Sequence, residues 1–533
     1  MAKSNECCII LIYPPPNLNE FCLLKGKSMK KIRLISLLLS LLFVLLCFTA
    51  CSDPKETEKP TTTGESQTNE DGDPRKTIQD TVPKDLKYKD DTVTFFVRND
   101  TDLYKYEISC EELKNDTLFD AIHYRNMDVE SRLGVSIKTI GQPGNFNVHT
   151  AWNQTLSSSV LTNSHDYDAT AFYVSTGSAL AKDGIYYNLM NLSAEYGGGH
   201  LNFSKPWWNQ TMVDELTIYG SLFFIGGDVT ITEITDGFAL AFNKDLFDQK
   251  FPDVKTENLY QLVRDGDWTI GKMTDFVSQV WDDTNSNGVI DDGDVVGFRS
   301  SSTSKASGWD GWIYALGLDL TTKDEFGEPQ LTIVDDPMLM PAFEAARKLH
   351  SGTPGSLFLD KATETGIPYG NQLFGDMRLK DGAGYRASEV NYGVLPLPKY
   401  DEDQENYRTT FVNTASCIAI CSNVSDERAV MLSAILELLC AESYKQVTPA
   451  YYGTVLQGQY SRDQADAEMY DLIIKSFVFS FGYAYSTVSL GAVGNIFRDL
   501  SPTFDLQTTV DSNRTMWKQN LTDLLIALEN VSN

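Results

Sequence analysis

The sequence predicts an α/β fold divided into two lobes, and three observations predict it. Short apolar runs of strand length, TVTFFV (92–97), GVSIKTI (134–140), DATAFYV (168–174) and GFALAFN (237–243), are bounded by turn residues. Amphipathic stretches such as 126–133 and 153–162 lie between them, and this alternation is the pattern of a mostly parallel sheet flanked by helices. About 445 residues follow position 88, more than one hydrophobic core organises, so the body should split in two.

Further helices have their own signals. Thr269 is placed to cap IGKMTDFVSQVWDD (270–283), where Met273, Phe276, Val277 and Val280 recur at helical spacing. Asp335, Asp336 and Pro337 open a helix over 338–350, because acids and proline suit a helix start. A longer apolar helix is expected over 426–447.

The helix that begins after Thr269 should run straight into DDTNSNGVIDDGD (282–294). Counted from Asp283, oxygen donors stand at positions 1, 3, 5, 9 and 12 with glycine at 6, the spacing of an EF-hand calcium loop. Asp283, Asn285, Asn287, Asp291 and Asp294 would offer side-chain oxygens and Val289 its carbonyl, while Gly288 makes the sharp turn. The expected cofactor is therefore one structural Ca2+. A solvated Asp/Asn/Gly turn is the competing account.

The N-terminus speaks to location. Residues 29–51, MKKIRLISLLLSLLFVLLCFTAC, combine a cationic start, an apolar run and small residues before a cysteine, as in a bacterial lipoprotein signal peptide. Cleavage would leave Cys51 lipidated. Residues 1–28 do not fit this signal, since Pro14–Pro16 and Glu20 interrupt them, so Met29 is the expected initiator. From Ser52 to about Lys87 the chain is polar and too poor in apolar residues to fold, which makes it a tether. Lipid and leash together place the body on the extracellular face of the membrane without spanning it.

Loss of six Lys/Arg and two Asp/Glu with residues 1–50 takes the net charge from −29 to −33. Such a field argues against nucleic acid and anionic lipid as partners. The remaining cysteines, Cys110, Cys417, Cys421 and Cys440, read as buried small hydrophobes, and no structural disulfide is required.

Three segments carry a resemblance: 267–298, VNYGVLPLPKYDEDQENY (390–407) and AESYKQVTPAYYGTVLQGQYSRDQ (441–464). They resemble the lipid-anchored solute-binding components of bacterial ABC importers, more narrowly the family 1 carbohydrate-binding group of Gram-positive bacteria. The resemblance implies a periplasmic-binding-protein type II (Venus flytrap) fold, with residues 88–230 and 405–474 in the first lobe and 231–404 and 475–533 in the second. It implies a monomeric receptor that binds a sugar or oligosaccharide between its lobes and delivers it to the permease subunits of the importer. The first crossing is expected near Gly226–Thr232 and the return near Lys399–Phe411.

Ligands of open α/β sheets collect at the carboxyl ends of strands. That rule nominates Arg98, with Asn99 and Asp100, after the first run and Tyr173, with Ser175 and Thr176, after the third. Asp228 follows the crossing strand. Sugars also need aromatic faces, which Trp208, Trp309 and Trp312 could supply, with Asp310 as a planar hydrogen-bonding partner. Arg386 and Glu389 precede the NYGVLP strand and complete the set. Tryptophans at helical spacing also suit a core, and the sequence leaves both readings open for them.

Enzyme motifs are scarce. There is no G-x-S-x-G, H-E-x-x-H or Walker loop; Ser302–Lys305 matches S-x-x-K without its companion motifs, and the five histidines lack metal spacing. The alternative to a receptor is a surface-anchored enzyme or holding protein that acts on glycans, its two carboxylates hidden among 73 acids.

Overall fold

The computed structural model describes residues 73–301, 306–359 and 367–532. The signal peptide, Cys51, most of the tether and the Ser302–Lys305 motif lie outside the described residues. Among those described, the strands are β1 (Asp91–Arg98), β2 (Val135–Gln142), β3 (Ala169–Tyr173), β4 (Phe238–Asn243), β5 (Trp281–Asp282), β6 (Val295–Ser301), β7 (Thr322–Lys323), β8 (Pro329–Gln330), β9 (Ser356–Leu359), β10 (Gln372–Arg378), β11 (Tyr392–Leu395) and β12 (Ser416–Ile420).

The first lobe is built on a sheet of order β12-β3-β1-β2. β1 runs parallel to β2 and β3, while β12 closes the edge antiparallel to β3. β3 and β12 are buried throughout, which explains their unbroken apolar sequences. The helix before β2 spans Thr117–Leu133, nine residues earlier than its expected start at 126. Asp116 explains the difference: its side chain accepts from the amides of Leu118 and Phe119, and Leu118, Ile122, Val129 and Leu133 then hold one buried face. Gly134 ends it at φ 64°, where a Cβ would stand 2.7 Å from the Tyr88 carbonyl oxygen.

The second lobe's sheet has the order β11-β4-β10-β6-β5, with β9 also on β6. It is mixed and not mostly parallel. β4 enters from the crossing and runs away from the first lobe, so β10 and β11 lie antiparallel to it on either side. The pairing of Phe238 with Arg378 brings the carboxyl end of β10 to the crossing.

Thr269 caps Ile270–Val277 as expected, its hydroxyl accepting from the Lys272 amide. The helix then stops, because its last carbonyls press on the backbones of Gly297 and Gly355. Trp281 and Asp282 pair with Val296 and Val295, so 283–294 is the turn of a hairpin and not the continuation of a helix.

Three chain segments join the lobes side by side. The Val412 amide donates to the Asp236 carbonyl at 3.0 Å, Phe238 to Thr410 at 3.0 Å, and Val478 to Thr409 at 2.7 Å. The return therefore passes at 409–415, slightly later than expected. Residues 464–475, expected in the first lobe, form a helix on β11 of the second. Buried Asp466 anchors it, accepting from the Val394 amide (3.2 Å), the Lys244 ammonium (2.9 Å) and the Tyr260 hydroxyl (2.5 Å).

Beyond 475 the chain leans on both lobes. Ser178 donates to the Ala484 carbonyl at 2.7 Å from the first, and the Gly482 amide to Thr321 at 2.7 Å in the second. The tether is also shorter than expected. From Asp73 the chain is tied down, with Asp80 paired to Arg132 at 2.8 Å and Thr81 donating to the His200 carbonyl at 2.6 Å.

Candidate functional site

β1, β3 and β10 end beside the linking segments at one place between the lobes. Arg98, last in β1, is 2% exposed, and one Nη donates to the Thr414 carbonyl at 2.8 Å and the Ser416 hydroxyl at 3.0 Å. Its guanidinium lies 3.7 Å from the centre of the Tyr104 ring and 5.5 Å from that of Tyr173. Tyr173, last in β3, donates to Asn413 at 3.3 Å. Burial raises the pKa of both phenols, and for Tyr104 the Asp236 carboxylate adds to the effect, so both hold their protons.

From the second lobe, Arg378 and Lys380 follow β10. The Arg378 guanidinium is 3.6 Å from the fully buried Asp236 carboxylate, and Lys380 pairs with the same oxygen. Asp236 also receives the Tyr104 hydroxyl at 3.4 Å, which ties the first crossing to the first lobe. Glu107 lies under this layer, accepting from the amide and hydroxyl of Thr232, and burial raises its pKa. Charged and phenolic groups from both lobes thus converge at the junction between them.

The structure brings Arg98 and Tyr173 together here, as predicted from the strand ends. Of the other nominated residues, Asp310 lies within electrostatic reach of Tyr173, and the rest are placed elsewhere. Trp208 is 1% exposed and donates to Glu437 at 3.0 Å within the first lobe. Trp309 packs at 3.9 Å on His350, whose imidazole burial drives well below its usual pKa, and Trp312 is fully buried with its indole nitrogen 3.2 Å from Asp376. In this conformation these rings are core, because Gly311 lies against Phe238 and Leu397 and draws the helix Asp310–Ala315 inward. Asp310 is also buried; Arg498 holds it at 2.7 and 2.6 Å and Tyr483 at 3.2 Å. Burial raises its pKa while Arg498 opposes the rise.

Asp228 accepts from the Thr448 hydroxyl with Arg75 nearby, and burial raises its pKa to about 7. Arg386 and Glu389 are exposed at the far end of Gly382–Ala387, a helix that packs against Ala450–Tyr460. Sequence reasoning missed Tyr104, Asp236, Arg378, Lys380 and Asn413. The strand-end rule that found Arg98 would have found Arg378 and Lys380 had QLFGDMR (372–378) been read as a strand.

In the hairpin turn, Gly288 has the positive φ, 74°, that the calcium spacing required. Asp283 accepts from the amides of Asn287 (3.1 Å) and Gly288 (2.7 Å). Asp294 is fully buried and accepts from Thr284 (3.0 Å), Asp291 (3.1 Å) and the Trp281 indole (3.0 Å). The amide nitrogens of Asn285 and Asn287 point at Asp291, 2.8 and 2.6 Å away. Among the described residues no three His, Cys, Asp or Glu side chains converge as a metal cluster. The donor types suit calcium, but both Asn side chains would have to turn their oxygens inward.

No helix of the described residues is long and apolar enough to cross a membrane. No family profile matches the chain, and no curated protein does. Solved structures do. The GacH receptor of Streptomyces glaucescens, solved unliganded and with acarbose, is 13% identical, with a TM-score of 0.51 over 81% of this chain and 99% of its own. A family 1 extracellular solute-binding protein from Bifidobacterium longum subsp. infantis is 14% identical, with a TM-score of 0.48 over 83% and 99%. An ABC-transporter solute-binding protein from Agrobacterium radiobacter K84, in complex with ribitol, is 14% identical, with a TM-score of 0.46 over 81% and 100%. With its two large sheets, three crossings and a polar layer between the lobes, this chain has the two-lobe fold of the ABC-transporter solute-binding proteins.

Proposed function

We propose that this protein is a non-catalytic receptor that binds a sugar or oligosaccharide between its lobes and hands it to the permease of an ABC importer. The observation that carries the reading is the meeting of Arg98, Tyr104 and Tyr173 from one lobe with Arg378 and Lys380 from the other at Asp236. The similarity to sugar-complexed binding proteins agrees with it. Cys51 is the lipid attachment site in this reading, and it holds a monomer at the outer face of the membrane.

A melting screen over mono- and oligosaccharides tests the reading. A bound solute should raise the midpoint by mass action, on the order of 3 kcal/mol at a hundredfold excess over Kd, and be recovered unchanged. Absence of any shift, or consumption of the sugar, would overturn it.

The Asp283–Asp294 turn is read as a calcium clip for the β5–β6 hairpin, supported by its ligand spacing and the turn at Gly288. Calcium should raise the thermal midpoint and a chelator should lower it. Equal midpoints under both conditions would leave the turn as a self-bonded loop.

A further inference from the structure

The interlobe layer differs in charge from the rest of the molecule. The whole chain has 73 acidic against 44 basic residues, whereas here three cations meet four acids, a more even balance. Arg378 and Lys380 share the single buried Asp236, and each keeps about a third of its side chain in solvent, 33% and 31%. Asp381 stands 3.9 Å from the Arg378 Nε. Arg98 has only a carbonyl, a hydroxyl and two phenol rings around it, and its buried Nε has no hydrogen-bond partner.

The acids facing this group are Asp236, Asp381, Asp376 and Glu107, with Asp310 near Tyr173 but paired to Arg498. Asp376 receives the Trp312 indole, and burial disfavours the charged form of Glu107. Neutral sugars are met by stacked aromatic faces, but the three nominated tryptophans lie in the core. The accessible cations are of the kind that grip an anionic oxygen pair.

We propose that the ligand of this site is an anionic saccharide, whose carboxylate, sulfate or phosphate group seats at Arg378 and Lys380 against Arg98 and Tyr104. The proposal rests on the receptor reading and narrows it to a substrate class. The geometry asks for an acidic group near the lobe junction, with the sugar ring extending toward Tyr173 and Asn413.

Calorimetry on the full chain tests it with paired probes: glucuronate and glucose, digalacturonate and its methyl ester, glucose 6-phosphate and glucose. The acidic member of at least one pair should bind tenfold or more tightly than its neutral partner, and that affinity should fall as salt is raised. Uronates alone would identify a carboxylate as the anchor, and the phosphate alone an ester; either supports the proposal. Arg378→Gln combined with Lys380→Gln should abolish the preference. Should that variant not fold, the acid-to-neutral ratio and the salt dependence of the parent protein decide. Neutral sugars that bind as tightly as acidic ones, independent of salt, would overturn the anionic class and leave the receptor reading intact. No binding by any probe would overturn both.

Discussion

Asp310→Asn is expected to cost about 3–5 kcal/mol of folding stability, the range for removing one partner of a buried ion pair. Asp310 is fully buried, and its two oxygens hold both Arg498 nitrogens and the Tyr483 hydroxyl. Burial works against the charge on Arg498 and the Asp310 carboxylate beside it raises its pKa; the substitution removes that support, yet a guanidinium is too strong a base to lose its proton at neutral pH. An amide in place of the carboxylate points N–H donors at a guanidinium that has only donors itself. The loss reaches beyond the pair, because Tyr483 and Arg498 belong to the chain after the third crossing and Asp310 to the second lobe. Urea unfolding with an unchanged slope and a lower midpoint checks the prediction. A loss under about 1 kcal/mol would show that Arg498 finds water when its partner leaves.

Trp309→Ala is expected to cost about 3–5 kcal/mol as well, by opening a cavity in the second lobe. The ring is 3% exposed and stacks on His350, whose two nitrogens lack hydrogen-bond partners and depend on the surrounding Phe298, Trp309 and Trp312 to exclude water. Thermal melting should reveal the loss, whereas ligand affinity of the folded fraction should stay within about twofold of the parent, as for a residue outside the contact region. Weakened binding with unchanged stability would return Trp309 to the cleft.

These two residues also mark where sequence reading reaches its limit. The strands β1 to β4 were legible because their apolar runs have strand length and end at turn residues. The helix after Thr269 was legible at its start, where a cap is local, and not at its end, which the approach of Gly297 and Gly355 decides from far along the chain. Arg98 and Tyr173 were found because strand ends are local features. Asp310, Trp309 and Trp312 were misplaced because the spacing WDGW fits a stacking platform and a core helix equally; the choice rests on Gly311 meeting Phe238 and Leu397. Asp236 was invisible in sequence, since its role depends on Tyr104, Arg378 and Lys380 arriving from 132, 142 and 144 positions away.

The backbone pairing of the three linking segments, Asp236 with Val412, Phe238 with Thr410 and Thr409 with Val478, has a mechanical result. A single linker would let one half wander in any direction, whereas a narrow ribbon of bonded strands bends across its width and resists shear and torsion. The covers of a book swing about a spine for the same reason. Any motion of the halves would thereby be confined to one axis, and Arg378 and Lys380, fixed at the hem of that ribbon, would keep one register opposite Tyr104.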